Sequence, residues 1–381
     1  MPIERIELYE LTLPLVEPFI ISGGSMTMRH SLVVVLQDDQ GNRGYGESPP
    51  FELPFYSEET LATARDLLER VLIPRLLRSG LDFPEGVDDV IRSGIRGNHF
   101  ARAGLETAAW DLEAARRKTS LAALLAERLG VEAAGSVSCG VALGIPQDRS
   151  LETLRRWIDE ALARGYQRVK IKVAPGWDAK PVEAARHAMA GSSLPLTVDA
   201  NGGYEWPEHE TNLRSLDEQG LLYIEQPLPP DELVGHARLA NELQTPVCLD
   251  ETLRDARAAR QIMELGGPRV WNVKVHRLGG LCETGRVYRL ARQYGAELWA
   301  GTMPESGIGS QAAIAAAAMP GFVYPSDLEP STRWFGRTAD VIRLSMTGDG
   351  RMQVPTASIE HMLDRDCFNT ASRLILSTPI E

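Results

Sequence analysis

The sequence predicts an α/β protein, a (β/α)8 TIM-type barrel preceded by an N-terminal α+β module, and three observations carry that prediction. Five short phrases each end a predicted strand: VKIKV (169–173), TVDANGG (197–203), YIEQPL (223–228), VCLDE (247–251) and WNVKV (271–275). Their polar residues Lys172, Asp199, Glu225, Asp250 and Lys274 lie 27, 26, 25 and 24 residues apart, about the length of one strand, one helix and two loops. The chain has 381 residues, more than a barrel of roughly 200–250 needs, which leaves room for a second module. The opening residues alternate as half-buried antiparallel strands do, before a helical period takes over.

Taken in order, IERIELYELTLPL and SLVVVLQDDQGNRGYGES read as two or three antiparallel strands with a turn at Asp39-Gln40-Gly41-Asn42. SEETLATARDLLERVLIPRLL is an amphipathic helix that Ser57 is expected to cap, with Glu58 and Glu59 in its first turn. FARAGLETAAWDLEAARRK spaces its apolar residues as a second helix. GSMTMRH (24–30) and SPPFELPFYSEE (48–59) read as loops of the kind that close over a barrel mouth. After AAGSVSCGVALG the pattern alternates strand and helix, with strands near 136–142, 168–173, 195–199, 221–225, 246–250, 270–275, 296–301 and 321–325 and a weak helix after the last. Residues 335–381 return to strand-like segments, VIRLSMTG and RMQVPT. The expected organisation is an α+β module over 1–130, a barrel over 131–330 and a C-terminal segment over 331–381 packed back on the first module.

The composition is that of a soluble enzyme, 43% apolar and 24% charged. A net charge of −12 argues against nucleic acid or an anionic membrane as partner. No apolar run reaches the roughly 18–20 residues of a membrane span, and the charged, alternating start does not resemble a signal peptide. The four cysteines, Cys139, Cys248, Cys282 and Cys367, are widely spaced and read as reduced packing residues of a cytoplasmic protein. The partner expected is a small-molecule carboxylate.

Barrel enzymes place their catalytic groups at the C-terminal ends of strands. Three carboxylates there, Asp199, Glu225 and Asp250, repel one another strongly unless a cation sits among them, and all-oxygen ligands suit Mg²⁺ or Mn²⁺ better than zinc. Lys170 and Lys172 are two apart and point to one face of their strand, while Lys274 lies four strands on, halfway around an eight-strand ring. The amines of Lys172 and Lys274 therefore approach a substrate from opposite faces, and a lysine crowded by cations has a depressed pKa and serves as a base. The alternative is a structural ion network. Asn201 and Glu251 lie beside the carboxylates, as supporting groups or as plain structural residues; Arg277 is placed to orient Lys274 or is a surface arginine. Glu305 and Ser306 occupy the loop after the seventh strand and are candidates for lining the pocket. Asp327 and His276 read as structural.

The phrases K-I-K, V-D-A-N, I-E-Q-P and D-E, with a lysine-bearing sixth strand followed by R-L-G-G, resemble the enolase superfamily over nearly the whole chain. GYGES and GNHFARAGLETAAWDL resemble hallmark segments of its capping domain. The Lys-x-Lys strand and the sixth-strand lysine resemble the muconate lactonizing enzyme subgroup, and the runs K-I-K-V-A-P-G-W-D and N-V-K-x-x-R-L-G-G its o-succinylbenzoate synthase / N-succinylamino acid racemase branch. The resemblance implies a modified, enolase-like barrel, metal ligation by Asp199, Glu225 and Asp250, and Lys172 and Lys274 as the acid/base pair. It also implies that Arg277 matches an arginine typical of racemase members. The reaction implied is abstraction of a proton alpha to a carboxylate, giving an enolate that the metal and Lys170 stabilise. The product is then a racemised N-acylamino acid, or o-succinylbenzoate for menaquinone synthesis. Dipeptide epimerisation, muconate-type cycloisomerisation and plain metal–carboxylate binding are the rivals. G-T-M-P-E-S-G-I-G-S departs from the branch's usual run at Thr302, Pro304 and Ser310, and a homo-oligomer is expected.

Overall fold

The structure is a computed structural model and describes residues 3–21, 24–336 and 339–379; the first and last two residues of the expected terminal segments lie outside these. Strands β1 (Ile3–Ile21), β2 (Gly24–Asp38) and β3 (Arg43–Ser48) form an antiparallel sheet, with the expected turn between Asp38 and Arg43. Period-two alternation splits β2 between two cores. Leu32, Val34 and Leu36 face the helices of the first module, while Val33 and Val35 belong to the larger core that runs on into the barrel. GSMTMRH, expected as a loop, instead opens β2, where Met26 pairs with Phe19 and Met28 with Pro14 of β1.

The first helix begins later than expected. Thr60, not Ser57, caps α1 (Leu61–Leu67) by a capping box with Thr63. A π-turn at Leu68–Leu72 leads into α2 (Ile73–Ser79). Glu59 is drawn away by another helix: its carboxylate accepts the N–H groups of Phe100 and Ala101 at 2.8 and 2.9 Å. Helix α3 (Pro84–Arg92) leads to α4 (His99–Arg116), which lies directly on β3, and α5 (Leu121–Leu129) follows. A Cβ on Gly44 would stand 2.2 Å from the Leu112 nitrogen, and one on Gly46 2.2 Å from the Gly104 oxygen, so GYGES carries glycine where helix and strand touch.

The expected strand 136–142 divides at Gly140. Its first part, β4 (Ser136–Ser138), pairs outside the barrel; its second, β5 (Val141–Leu143), enters it. Glycine is required at the break, since a Cβ on Gly140 would stand 2.4 Å from the Arg168 guanidinium. The barrel continues as α6 (Leu151–Ala163), β6 (Val169–Lys172), α7 (Ala179–Ala188), β7 (Leu196–Asp199), α8 (Glu210–Asp217), β8 (Ile224–Glu225), α9 (Leu233–Glu242), β9 (Val247–Leu249) and α10 (Ala256–Glu264). Then come β10 (Val270–Val273), the short α11 (Val275–Leu278), α12 (Leu281–Tyr294), β11 (Glu297–Ala300) and α13 (Gly307–Ala317).

Strands β5 to β11 make a parallel sheet in sequence order. The eighth strand expected at 321–325 is replaced by single bridges, Phe322 to Leu298 and Ser326 to Cys139. Prolines at 320 and 325 remove ladder donors, yet the segment still closes the ring through Asp327 N to Ala300 O and Gly140 N to Ser326 O, at 2.9 and 2.7 Å. One turn, α14 (Ser331–Trp334), stands where the weak last helix was expected. VIRLSMTG is irregular, tied to Ser331, and β12 (Arg351–Gln353) pairs with β4 in a separate two-stranded sheet rather than with the first module. After α15 (Arg365–Ala371), β13 (Ser372–Pro379) does return to the first sheet, beside β1.

Buried carboxylates join the two parts. Glu106 of α4 accepts the N–H groups of Leu281 and Cys282 at the start of α12, at 2.8 and 2.7 Å, and the Trp110 indole N–H at 2.7 Å. Burial still pushes its carboxyl up to about 7. Glu106→Ala strands these donors in the interior and is expected to destabilise the protein by at least about 2 kcal/mol, read by urea unfolding.

Candidate active site

Each site residue is delivered by the end of a strand. In the parallel register Lys172 lies beside Asp199 and Asp199 beside Glu225, and Asp250 follows β9 directly. The three carboxylates are 1%, 0% and 1% exposed, and one oxygen from each lies within 4.8 Å of the others. So close a buried set fits a divalent cation, and its all-oxygen donors are those a hard ion takes. Neighbouring charges split the carboxylates: burial and Asp199 raise Glu225, whereas Lys172 and Lys170 outweigh burial and lower Asp199.

The cations are arranged around this set. Lys170 donates to Glu225 at 2.8 Å, stands 2.7 Å from Asp327, and lies 4.6 Å from the centre of the Trp299 ring. Lys172 donates to Asp199 at 2.5 Å and to the Asn201 side-chain oxygen. Lys274, at the N-cap of α11, donates to Asp250 at 2.9 Å and to the Tyr56 hydroxyl at 3.1 Å. Gly301 leaves room for it, because a Cβ there would stand 2.8 Å from the Lys274 Cε. Arg277 is no surface arginine: its guanidinium holds Asp250, the Asn272 carbonyl at 2.6 Å and the Leu253 carbonyl at 3.2 Å. The expectation of a lysine depressed by neighbouring cations is not met. Burial pulls Lys274 down, but Tyr56, Glu251 and Glu225 outweigh it and hold the ammonium above its usual range. Acids, more than cations, are what surround it.

The supporting groups are ordered by side-chain bonds. Asn201 donates to Glu251 at 2.9 Å, Asn272 donates to Glu225 at 2.8 Å, and Gln226 accepts the N–H groups of Asp250 and Thr252 at 2.9 and 3.1 Å. Glu305 and Ser306 are not among the contacts of the carboxylates. Ser306 caps α13 and donates to Glu47 of β3 at 2.5 Å, and Glu305 lines a recess with Thr302, Pro304, Ser310 and Glu329. The three departures from the branch motif thus share one wall. His276 is packed inside and pulled down to about 3 by burial.

Sequence reasoning missed four contributors. Tyr56 arrives on the loop after β3 and has no strand-end signal. Asp327, read as structural, bonds Lys170 and is gripped by Arg168, itself wholly buried. Gln226 lies within YIEQPL and Asn272 within WNVKV, and a polar residue in a fully buried strand is the signal that marks them.

Two family descriptions match the chain: Enolase C-terminal domain-like over residues 153–358, and Mandelate racemase / muconate lactonizing enzyme, N-terminal domain, over residues 5–126. The chain belongs to the enolase superfamily, in its mandelate racemase / muconate lactonizing enzyme family. It is similar to the N-succinylamino acid racemase of Thermus thermophilus, 42% identical over 93% of both chains. It is also similar to the o-succinylbenzoate synthase of Geobacillus stearothermophilus, 38% identical over 95% of this chain and 94% of that one. A solved enolase-superfamily structure from Listeria innocua matches with a TM-score of 0.91 and 32% identity over 100% of each chain. The protein is an enzyme of that superfamily. Among the described residues no helix is long and apolar enough to cross a membrane.

Asp327 is flanked by two buried cations, and burial is outweighed by Lys170 and Arg168 so that its carboxyl titrates far below the usual range. Asp327→Asn leaves both cations short of a counter-charge, and a loss of about 3–5 kcal/mol is expected in urea unfolding at pH 7. Because Asp327 titrates lower folded than unfolded, its contribution is present above about pH 4 and fades as pH falls further, so parent and variant converge in acid.

Proposed function

We propose that the enzyme abstracts the proton alpha to the carboxylate of an N-succinylamino acid and returns one on the opposite face, and that it also dehydrates the cyclohexadiene precursor of o-succinylbenzoate. The observation that carries this reading is the seating of Lys172 and Lys274 on different carboxylates, Asp199 at 2.5 Å and Asp250 at 2.9 Å, from strands four positions apart in the ring. A single base would serve one face only.

The charges support the substrate class. Asp199, Glu225, Asp250, Glu251 and Asp327 give five formal negative charges, and Lys170, Lys172, Lys274, Arg168 and Arg277 give five positive, so the cluster is neutral by itself. A divalent ion on Asp199, Glu225 and Asp250, Mg²⁺ or Mn²⁺ in this reading, leaves an excess of two, offsets the acids that hold Lys274 charged, and supplies electrophilic stabilisation of an enolate. An N-succinylamino acid and the succinyl-bearing precursor each carry two carboxylates.

In racemisation the neutral amine of one lysine takes the alpha proton, the C–H pair passes into the enolate, and the ammonium of the other donates to the far face. Lys170, buried beneath the carboxylates, faces the developing charge. In dehydration Lys172 takes the proton, the C–H pair passes into the enolate, and the ring hydroxyl departs with the C–O pair as water by taking that proton from the Lys172 ammonium, with Lys274 contributing its charge. Dipeptide epimerisation is less well supported: it wants acids after the eighth strand for a substrate ammonium, and of Asp327 and Glu329 there, Asp327 is already held by Lys170 and Arg168. The buried thiols Cys139 and Cys248 accord with a cytoplasmic setting, and a homo-oligomer belongs to the same reading, open to test by sedimentation.

Two measurements test it. Chelation with EDTA, or Asp199→Ala, Glu225→Ala or Asp250→Ala, is expected to lower activity on the order of 10³-fold with the fold retained. Full activity in EDTA without added Mg²⁺ or Mn²⁺ would remove the metal from the account. Lys274→Ala should still exchange the alpha proton of one enantiomer of an N-succinyl amino acid with deuterium, and Lys172→Ala only that of the other, as followed by NMR. Exchange of both enantiomers at the parent rate in either variant would refute the two-lysine mechanism.

A further inference from the structure

Arg29 of β2 is 3% exposed and spends its N–H groups on carbonyls drawn from three stretches of chain. Its Nη1 donates to Pro50 O at 3.0 Å and to His30 O at 2.5 Å, its Nη2 to Pro49 O and to Met303 O at 3.3 Å, and its Nε to Pro304 O at 3.1 Å. One stretch is its own strand, the second opens the loop after β3, and the third is the loop after β11 at the barrel mouth. The guanidinium also lies 4.8 Å from the centre of the Phe51 ring. Phe51 packs with Phe100 and Met303 in a small core of its own, against which Met26, Phe55 and Tyr56 are laid.

The loop that Arg29 holds is the one that ends on Tyr56. The Tyr56 oxygen accepts from Lys274 at 3.1 Å and from Arg277 at 3.2 Å, and its ring centre lies 4.8 Å from the Lys274 amine. The hydrogen bonds of Lys172, by contrast, go to Asp199 and Asn201, both within the barrel. The clamp therefore reaches one of the two lysines and not the other.

The geometry points to Arg29 as a positioning residue that locks the loop after β3 onto the barrel mouth and so holds Tyr56 against Lys274, giving one face of the substrate a control the other lacks. A planar fork of five N–H groups can bridge carbonyls of both loops, whereas a lysine brings three donors at one point and cannot span them. The inference rests on the two-lysine reading for its stereochemical consequence, but the clamp itself has a readout that needs no reaction.

The test uses Arg29→Lys and Tyr56→Phe in the full-length Mg²⁺-supplemented enzyme. Deuterium exchange into each enantiomer of an N-succinyl amino acid is expected to slow by at least about tenfold for the one that requires Lys274, defined by Lys274→Ala, and by less than about twofold for the other. Equal losses for both enantiomers, or none in a folded variant, would overturn the proposal. If Arg29→Lys does not fold, Tyr56→Phe alone must give the asymmetry. Amide hydrogen exchange over residues 51–60 should quicken at least about tenfold in Arg29→Lys while α12 stays protected; unchanged protection there would also overturn it. If the parent exchanges neither enantiomer, the racemase reading falls, and the amide measurement decides the clamp.

Discussion

Three buried carboxylates forced to within 4.8 Å of one another set the terms for the rest of this molecule. At an effective dielectric near 20 each pair repels by about 3–4 kcal/mol, so the set together costs about as much as a whole domain's net stability. The charge has to be met locally. Lys172 sits beside Asp199, and Lys274 and Arg277 against Asp250, each on the strand or turn that the barrel order makes adjacent, while Lys170 reaches past β7 to Glu225 on β8. The same cations that make the acids tolerable are the proton carriers and charge stabilisers of the proposed reaction. Stability and chemistry are therefore the same set of contacts seen at two different moments.

A second pattern governs how the first module meets the barrel. Glutamates of the first module sit at helix N-termini that belong to other segments: Glu59 at α4, Glu106 at α12 and Glu47 at α13. At α4 and α12 the acid stands in for a missing local cap, at α13 Glu47 adds to the Ser306 cap, and each ties a helix start to a distant piece of chain. Helices α12 and α13 follow the strands that carry Lys274 and the loop of Met303 to Glu305. The first module thus fixes the far ends of the segments whose near ends form the active site, and Arg29 and Tyr56 complete the joint at the mouth.

The catalytic strand ends were legible because barrel spacing, burial and charge all converge there. A carboxylate or lysine in an otherwise apolar strand has few other reasons to exist, and the repeat of about 25 residues says that several such strands share a rim. What escaped was anything whose partner lies far away in sequence. Nothing local marks Tyr56 as a neighbour of Lys274, 218 residues on. Glu59 reads as a first-turn acid of its own helix until α4 is seen to claim it. The eighth strand failed for the opposite reason, since its apolar content was read correctly while Pro320 and Pro325 quietly removed the donors a ladder needs.

In the proposed reading one set of strand ends carries both transformations. As proposed, racemisation and dehydration begin with the same event, removal of an alpha proton beside a carboxylate, and differ in whether Lys274 delivers a proton or only its charge. Neither requires a change in Asp199, Glu225, Asp250 or Lys172. The three positions that depart from the branch motif lie elsewhere, in the recess that gathers Thr302, Pro304 and Ser310 with Glu329. Glu329 is buried there with one carboxylate oxygen lacking a hydrogen-bond partner among the described residues, and burial pushes its carboxyl up to about 7. The recess therefore sets a buried acid, 4.0 Å from the Arg333 guanidinium, beside the three positions that depart from the branch motif, apart from the strand ends that carry the carboxylates and lysines.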